Sequence, residues 1–217
     1  MMNILRLLGL SLLFPFAARA TEVKLLESGL EINAGDAGTF LMSYPWPLSP
    51  MDKAVAKLES TEIAEDGNRV TLKFTEGCTM TIERGEDGLW NYSLTGIPEE
   101  GVKIAFSLPI PLEAKDNGAT WAFDDGKTGP FPQESGTGSG KQGITLYQGN
   151  PCSFSLAKGG EGFTITFPIT TWNMLRDPRP WGKKNFALDL IRYFPGKKHL
   201  AETTYSLRIT DLEKPAK

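Results

Sequence analysis

The sequence predicts an all-β protein, an antiparallel β-sandwich that is jelly-roll-like or a larger two-sheet variant, with about a dozen strands. Three observations point there. Apolar residues recur with period two in segment after segment, as in a sheet with one dry and one wet face. Short Asp-Gly and Gly-rich turns separate those segments. Helical periodicity is nearly absent.

From the start of the chain, "MMNILRLLGLSLLFPFAARA" has the build of a secretory signal: Arg6 precedes an apolar run from Leu7 to Ala17. Ala18-Arg19-Ala20 then offers a small-x-small cleavage pattern. The run is too short to cross a bilayer, which takes roughly 20 apolar residues. The expectation is a signal peptide over 1–20 and a single domain over 21–217, secreted or periplasmic, with no transmembrane segment.

After Val23 the alternation begins. The one helix candidate follows Ser49-Pro50, where Ser49 can cap, Pro50 can take the first position and Asp52 can close a capping box. The adjoining "AVAKLESTEI" reads equally as a strand. In "RVTLKF", Val70, Leu72 and Phe74 share one face while Arg69, Thr71 and Lys73 share the other. "CTMTI" repeats this with Cys78, Met80 and Ile82, and "VKIAFSL" with Val102, Ile104, Phe106 and Leu108. "FTITF" and "TYSLRI" follow, placing Phe163, Ile165, Phe167, Tyr205, Leu207 and Ile209 inward. Asp66-Gly67 and Asp87-Gly88 are the hairpin signals.

The stretch "TGPFPQESGTGSGKQG", 128–143, lacks any period and is rich in Gly, Ser and Pro, so it reads as a flexible surface loop. Its "SGTGSGKQ" imitates a phosphate-binding loop. Ser135 stands where that motif needs Gly, and Gln142 where it needs Ser or Thr, which excludes nucleotide binding.

Charge narrows the partners. The chain carries 23 basic and 26 acidic residues. Without Arg6 and Arg19 the basic count falls to 21 and the balance to −5, which argues against nucleic acid. The two cysteines, Cys78 and Cys152, are too few for a disulfide scaffold. Export permits a bridge between them, and their apolar register fits a pair of buried thiols equally.

Catalytic signals are sparse. The single histidine, His199, has no Cys, His or carboxylate at metal-ligand spacing, and there is no Gly-x-Ser-x-Gly elbow. Glu83 and Asp189 are strand-borne acids of the kind a glycosidase pairs across a groove. No cofactor is expected. Asp124 and Asp125, before Gly126, are a weak candidate for calcium. A polysaccharide lyase needs a cation to neutralise a uronate and a basic group to take its proton. Arg176, Arg179, Lys183, Arg192, Tyr193 and His199 supply those types within one stretch.

The tryptophans carry the leading functional expectation, because flat indoles stack on the apolar faces of sugar rings. Trp90 and Tyr92 fall in core register. Trp46 stands between prolines, on an edge or loop that it staples to the body. Trp121 begins a short strand. Trp172 and Trp181 bracket "NMLRDPRP", whose Asp-Pro and Arg-Pro steps break regular pairing. Asp177 is placed to fix Arg176 or Arg179, and a paired guanidinium beside an indole makes a platform for stacking and hydrogen bonding. The competing reading is an ordered corner, with Asp177 and one arginine tying it down and Trp181 plugging the sandwich end.

The stretches "GLEINAGDAGTFLMSYP", "VTLKFTEGCTMTI" and "RDPRPWGKKNFALDLIRYFP" give the chain a resemblance to β-sandwich modules of exported bacterial carbohydrate-active proteins. The resemblance implies an extracellular glycan or polysaccharide as partner and a non-catalytic binding role. Trp172, Arg176, Asp177, Arg179, Trp181 and Trp121 are the ligand-binding candidates. A polysaccharide lyase or glycoside hydrolase acting on an acidic glycan is the first alternative. An envelope or adhesion protein binding a cell-surface protein is the second.

Overall fold

The computed structural model describes residues 20–48, 56–99, 101–194 and 204–212. The expected helix at Ser49-Pro50, His199 and all of the leader but Ala20 lie outside these residues. Seventeen strands are found among them. The first eight are β1 (Glu22–Leu26), β2 (Gly29–Asn33), β3 (Thr39–Ser43), β4 (Trp46–Leu48), β5 (Leu58–Ile63), β6 (Arg69–Phe74), β7 (Thr79–Arg84) and β8 (Leu89–Thr95). Then come β9 (Val102–Pro111), β10 (Thr120–Phe123), β11 (Thr128–Pro130), β12 (Thr145–Gly149) and β13 (Ser153–Lys158). The last four are β14 (Glu161–Thr166), β15 (Trp172–Arg176), β16 (Asn185–Phe194) and β17 (Thr204–Asp211).

All pairings are antiparallel. One sheet has nine strands in the order β11-β10-β13-β14-β17-β8-β7-β6-β5, and a second has five in the order β12-β15-β16-β9-β4. A three-stranded sheet, β1-β2-β3, lies beside β9, and the Ser107 amide donates to the Ser43 hydroxyl at 2.9 Å. Rings meet across the gap between layers: Tyr92 with Phe106 at 5.1 Å, Phe40 with Phe163 at 5.2 Å, and Phe123 stacked on Tyr147 at 3.7 Å. The molecule is therefore a β-sandwich, as the alternation implies. The strand count exceeds the dozen expected because pieces as short as β4 and β11 have no readable period.

Inward residues follow the sequence pattern closely. Val70, Leu72, Phe74, Cys78, Met80 and Ile82 are buried, as are Ile104, Phe106, Leu108, Phe163, Ile165, Leu207 and Ile209. Trp90 and Tyr92 lie in the core. Trp46 meets Phe74 edge-on at 5.8 Å, stapling the edge strand β4 to the opposite sheet. "AVAKLESTEI" resolves as strand from Leu58 onward. Cys78 and Cys152 are both free thiols, and burial raises the pKa of Cys78. Among the described residues, no helix is long and apolar enough to cross a membrane.

Candidate functional site

The site is built on β15 and β16 and on the turn that joins them. On β15 the side chains of Asn173 and Leu175 are buried, while Trp172, Met174 and Arg176 face outward. Register then fixes their neighbours. Trp172 lies opposite Ile191, Met174 opposite Asp189, and Asp189 opposite Ser107 on β9. The outer face of the five-stranded sheet thus presents an indole, a thioether, a carboxylate and a guanidinium in adjacent rows.

The segment Arg176–Trp181 divides by function. Asp177 is fully buried. Its carboxylate accepts from Arg179 Nε and Nη2, both at 2.7 Å, a two-pronged ion pair. The same guanidinium donates to the carbonyls of Pro132 at 2.8 Å, Gln133 at 2.9 Å and Glu134 at 3.0 Å. It also lies over the Phe186 ring, 5.0 Å from its centroid. The hydrogen bonds to Asp177 hold the Arg179 pKa above its ordinary value. Asp177 and Arg179, expected to touch ligand, form an interior clamp instead, because every acceptor and donor between them is turned toward protein.

That clamp orders the stretch read as a loop. Segment 128–143 begins as β11, buries Phe131 against Phe186 at 4.7 Å, and is then held at three successive carbonyls. Composition conceals this, since the holding side chain sits more than forty residues away.

Arg176 turns the other way. It forms an ion pair with Asp189, which also accepts from the Ser107 hydroxyl at 3.0 Å. Its guanidinium lies 5.7 Å from the centroid of the Trp181 ring, within cation–π range. Trp181 closes a 3-10 turn that ends on Gly182 in left-handed geometry (φ 76°) and donates its indole N–H to the Gln142 side chain. Trp181 is 49% exposed and Trp172 37%. Trp172 opens β15, whereas Trp181 lies on the turn beyond the strand's end, beside Arg176, the last residue of β15. Burial pushes the Asp189 pKa up, with Arg176 and Ser107 pulling it back.

The remaining candidates fall elsewhere. Trp121 is buried in the sandwich and donates to the Pro130 carbonyl at 3.2 Å, so it does not join this face. Asp124 accepts from the Cys152 amide at 2.9 Å and the Ser153 amide at 3.3 Å. Asp125 accepts from the Lys127 amide at 3.1 Å and the Tyr147 hydroxyl at 3.0 Å. Burial, reinforced by Asp125, pushes the Tyr147 pKa up to about 12. The proposed calcium pair therefore fastens turns, and no group of three metal-ligating side chains is found among the described residues. Glu83, on β7, faces out from the nine-stranded sheet, so it shares no groove with Asp189. Asp189 itself, with Met174 and Ile191, belongs to the candidate face. Asp189 reaches this face through its register with Met174, and Ile191 through its register with Trp172, neither of which a linear pattern shows.

Two cavities lie away from this face. One of about 520 Å³ is lined by Ala56, Glu76, Cys78, Ile97 and Glu99. Another, of about 300 Å³, is lined by Thr21, Arg84, Asp87, Trp90 and Asp211. Neither cavity is lined by Trp172 or Trp181, which are exposed.

No protein-family model matches the chain, and no curated protein matches it. Among solved structures, similarity is found to a GH31 family sulfoquinovosidase from E. rectale in complex with an aza-sugar inhibitor. Identity is 11% and the TM-score 0.43, over 89% of this chain and 32% of that one. A galactose mutarotase-like protein from Lactobacillus casei ATCC 334 is similar at 10% identity and TM-score 0.41, over 88% of this chain and 100% of that one. The chain spans about a third of the first neighbour's length, and both neighbours bear names from carbohydrate chemistry.

Proposed function

We propose that the chain is an exported, non-catalytic carbohydrate-binding protein that takes its glycan on the outer face of the five-stranded sheet. One observation carries the reading. Arg176, fixed by Asp189, lies against the exposed Trp181 ring on the same side as the exposed Trp172. One indole at the start of β15 and a second on the turn that follows the strand suit the apolar faces of sugar units, while the guanidinium supplies donors to hydroxyls or carboxylates. The export half of the reading stands on the leader at 1–20.

Calorimetric titration against a panel of neutral and acidic oligosaccharides tests it. Trp181→Ala is expected to weaken binding about tenfold, the scale of one lost stacking contact, with no change in the melting temperature. Uptake of no glycan, or equal affinity for wild type and Trp181→Ala, overturns the reading.

A further inference from the structure

The cavity lined by Thr21, Arg84, Trp90 and Asp211 contains a feature unrelated to sugar recognition. Thr21 opens the described core of the chain: its backbone N–H donates to the Asp211 carboxylate, and its hydroxyl donates to the Gly162 carbonyl at 3.2 Å. Gly162 also accepts from the Leu212 amide at 3.2 Å, so the first and last parts of the domain meet on one residue. Ala20, the preceding residue, is exposed. The small-x-small pattern Ala18-Arg19-Ala20 places the cut of a leader peptidase between Ala20 and Thr21.

We propose that Ala20–Thr21 is the processing site and that Asp211 is a built acceptor for the α-ammonium that cleavage creates. Hydrolysis adds one water across the Ala20–Thr21 amide, leaving a carboxylate on the departing leader and an ammonium on Thr21. One N–H then becomes three, carrying a full charge, at the atom already directed at Asp211. A hydrogen bond from a charged donor is roughly twice as strong as a neutral one. Of the groups on the cavity rim, Asp87 adds negative charge. The one cation, Arg84, is drawn toward the Trp90 ring, 5.9 Å from its centroid. Maturation thus tightens the joint between β1 and β17, the two strands that bring the ends of the domain together.

The proposal rests on the export half of the functional reading and is independent of glycan binding. Two measurements test it. The full chain, expressed in an exporting bacterium, is recovered and its intact mass determined; loss of residues 1–20 is expected. The chain beginning at Thr21 is then compared with its Nα-acetylated form, which keeps an N–H but loses the charge. Acetylation is expected to lower the melting temperature by roughly 1–3 °C at low salt. In Asp211→Asn the two forms are expected to melt together, and high salt should shrink the gap. A mature terminus other than Thr21 overturns the processing site. An acetylation effect of equal size in wild type and Asp211→Asn overturns the role of Asp211. Normal glycan uptake by either form leaves the sugar reading standing while these fail.

Discussion

Two neighbouring arginines, Arg176 and Arg179, have opposite fates because their side chains leave a kinked backbone on opposite sides. Arg179 is 13% exposed at its side chain, and Asp177 is not exposed at all. Removing one partner of such a pair strands the other charge in the interior. Asp177→Asn is therefore expected to destabilise the fold by about 3 kcal/mol, read as a lower denaturant midpoint. A midpoint equal to wild type would show that the clamp is solvated. Asp189 behaves differently. Burial raises its folded pKa above the unfolded value, so the folded state holds the proton more tightly. Its contribution is present below the ordinary carboxylate value of about 3.9 and is lost as pH rises through the raised one. Wild type should lose stability relative to Asp189→Asn across that window, measured by denaturant midpoints from acid to neutral pH. A gain would mean that the Arg176 pair outweighs desolvation.

Among the elements, β14 shows how one glycine sets a strand. Gly162 has φ 147°, and a Cβ there would meet the Leu156 carbonyl oxygen at 1.9 Å on the paired strand β13. No side chain can move aside, since the obstacle is backbone. Gly162→Ala should cost about 2 kcal/mol or more, visible as a lower melting temperature, whereas Gly159→Ala, with open space around it, carries only its φ 61° penalty. Equal losses at both positions would refute the steric account. The period-two pattern reveals β14 through Phe163, Ile165 and Phe167, and says nothing of this contact, because register with β13 is a property of two segments.

For the whole molecule, the order of strands decides how it folds. The last strand, β17, does not close an edge; it lies between β14 and β8 near the middle of the nine-stranded sheet. Its partners are fixed over long chain separations, with Tyr205 opposite Tyr92 and Ile209 opposite Ile165. Such non-local pairing slows folding, because loops must close before contacts form. A chain ending before Thr204 leaves β14 and β8 with bare facing edges and a gap in the core where Tyr205, Leu207 and Ile209 stood. It is expected to show no cooperative unfolding transition, with circular dichroism during denaturant titration as the check. A sharp transition in that truncation would show that the sheet closes without β17.

The sequence by itself determined the fold class and most of the core. Alternation is a local consequence of the pleat, so Val70, Met80, Phe106 and Leu207 announce their burial from their immediate neighbours. It also made the segment holding Trp172, Arg176 and Trp181 a candidate, because proline steps and indoles are visible one residue at a time. Which arginine would turn inward, which acid would meet Arg176, and what would hold 128–143 were decided only in three dimensions. Those answers depend on pairing between distant strands, Asp189 beside Met174 and Arg179 under Gln133, and a linear pattern carries no term for partners brought together by register and layer.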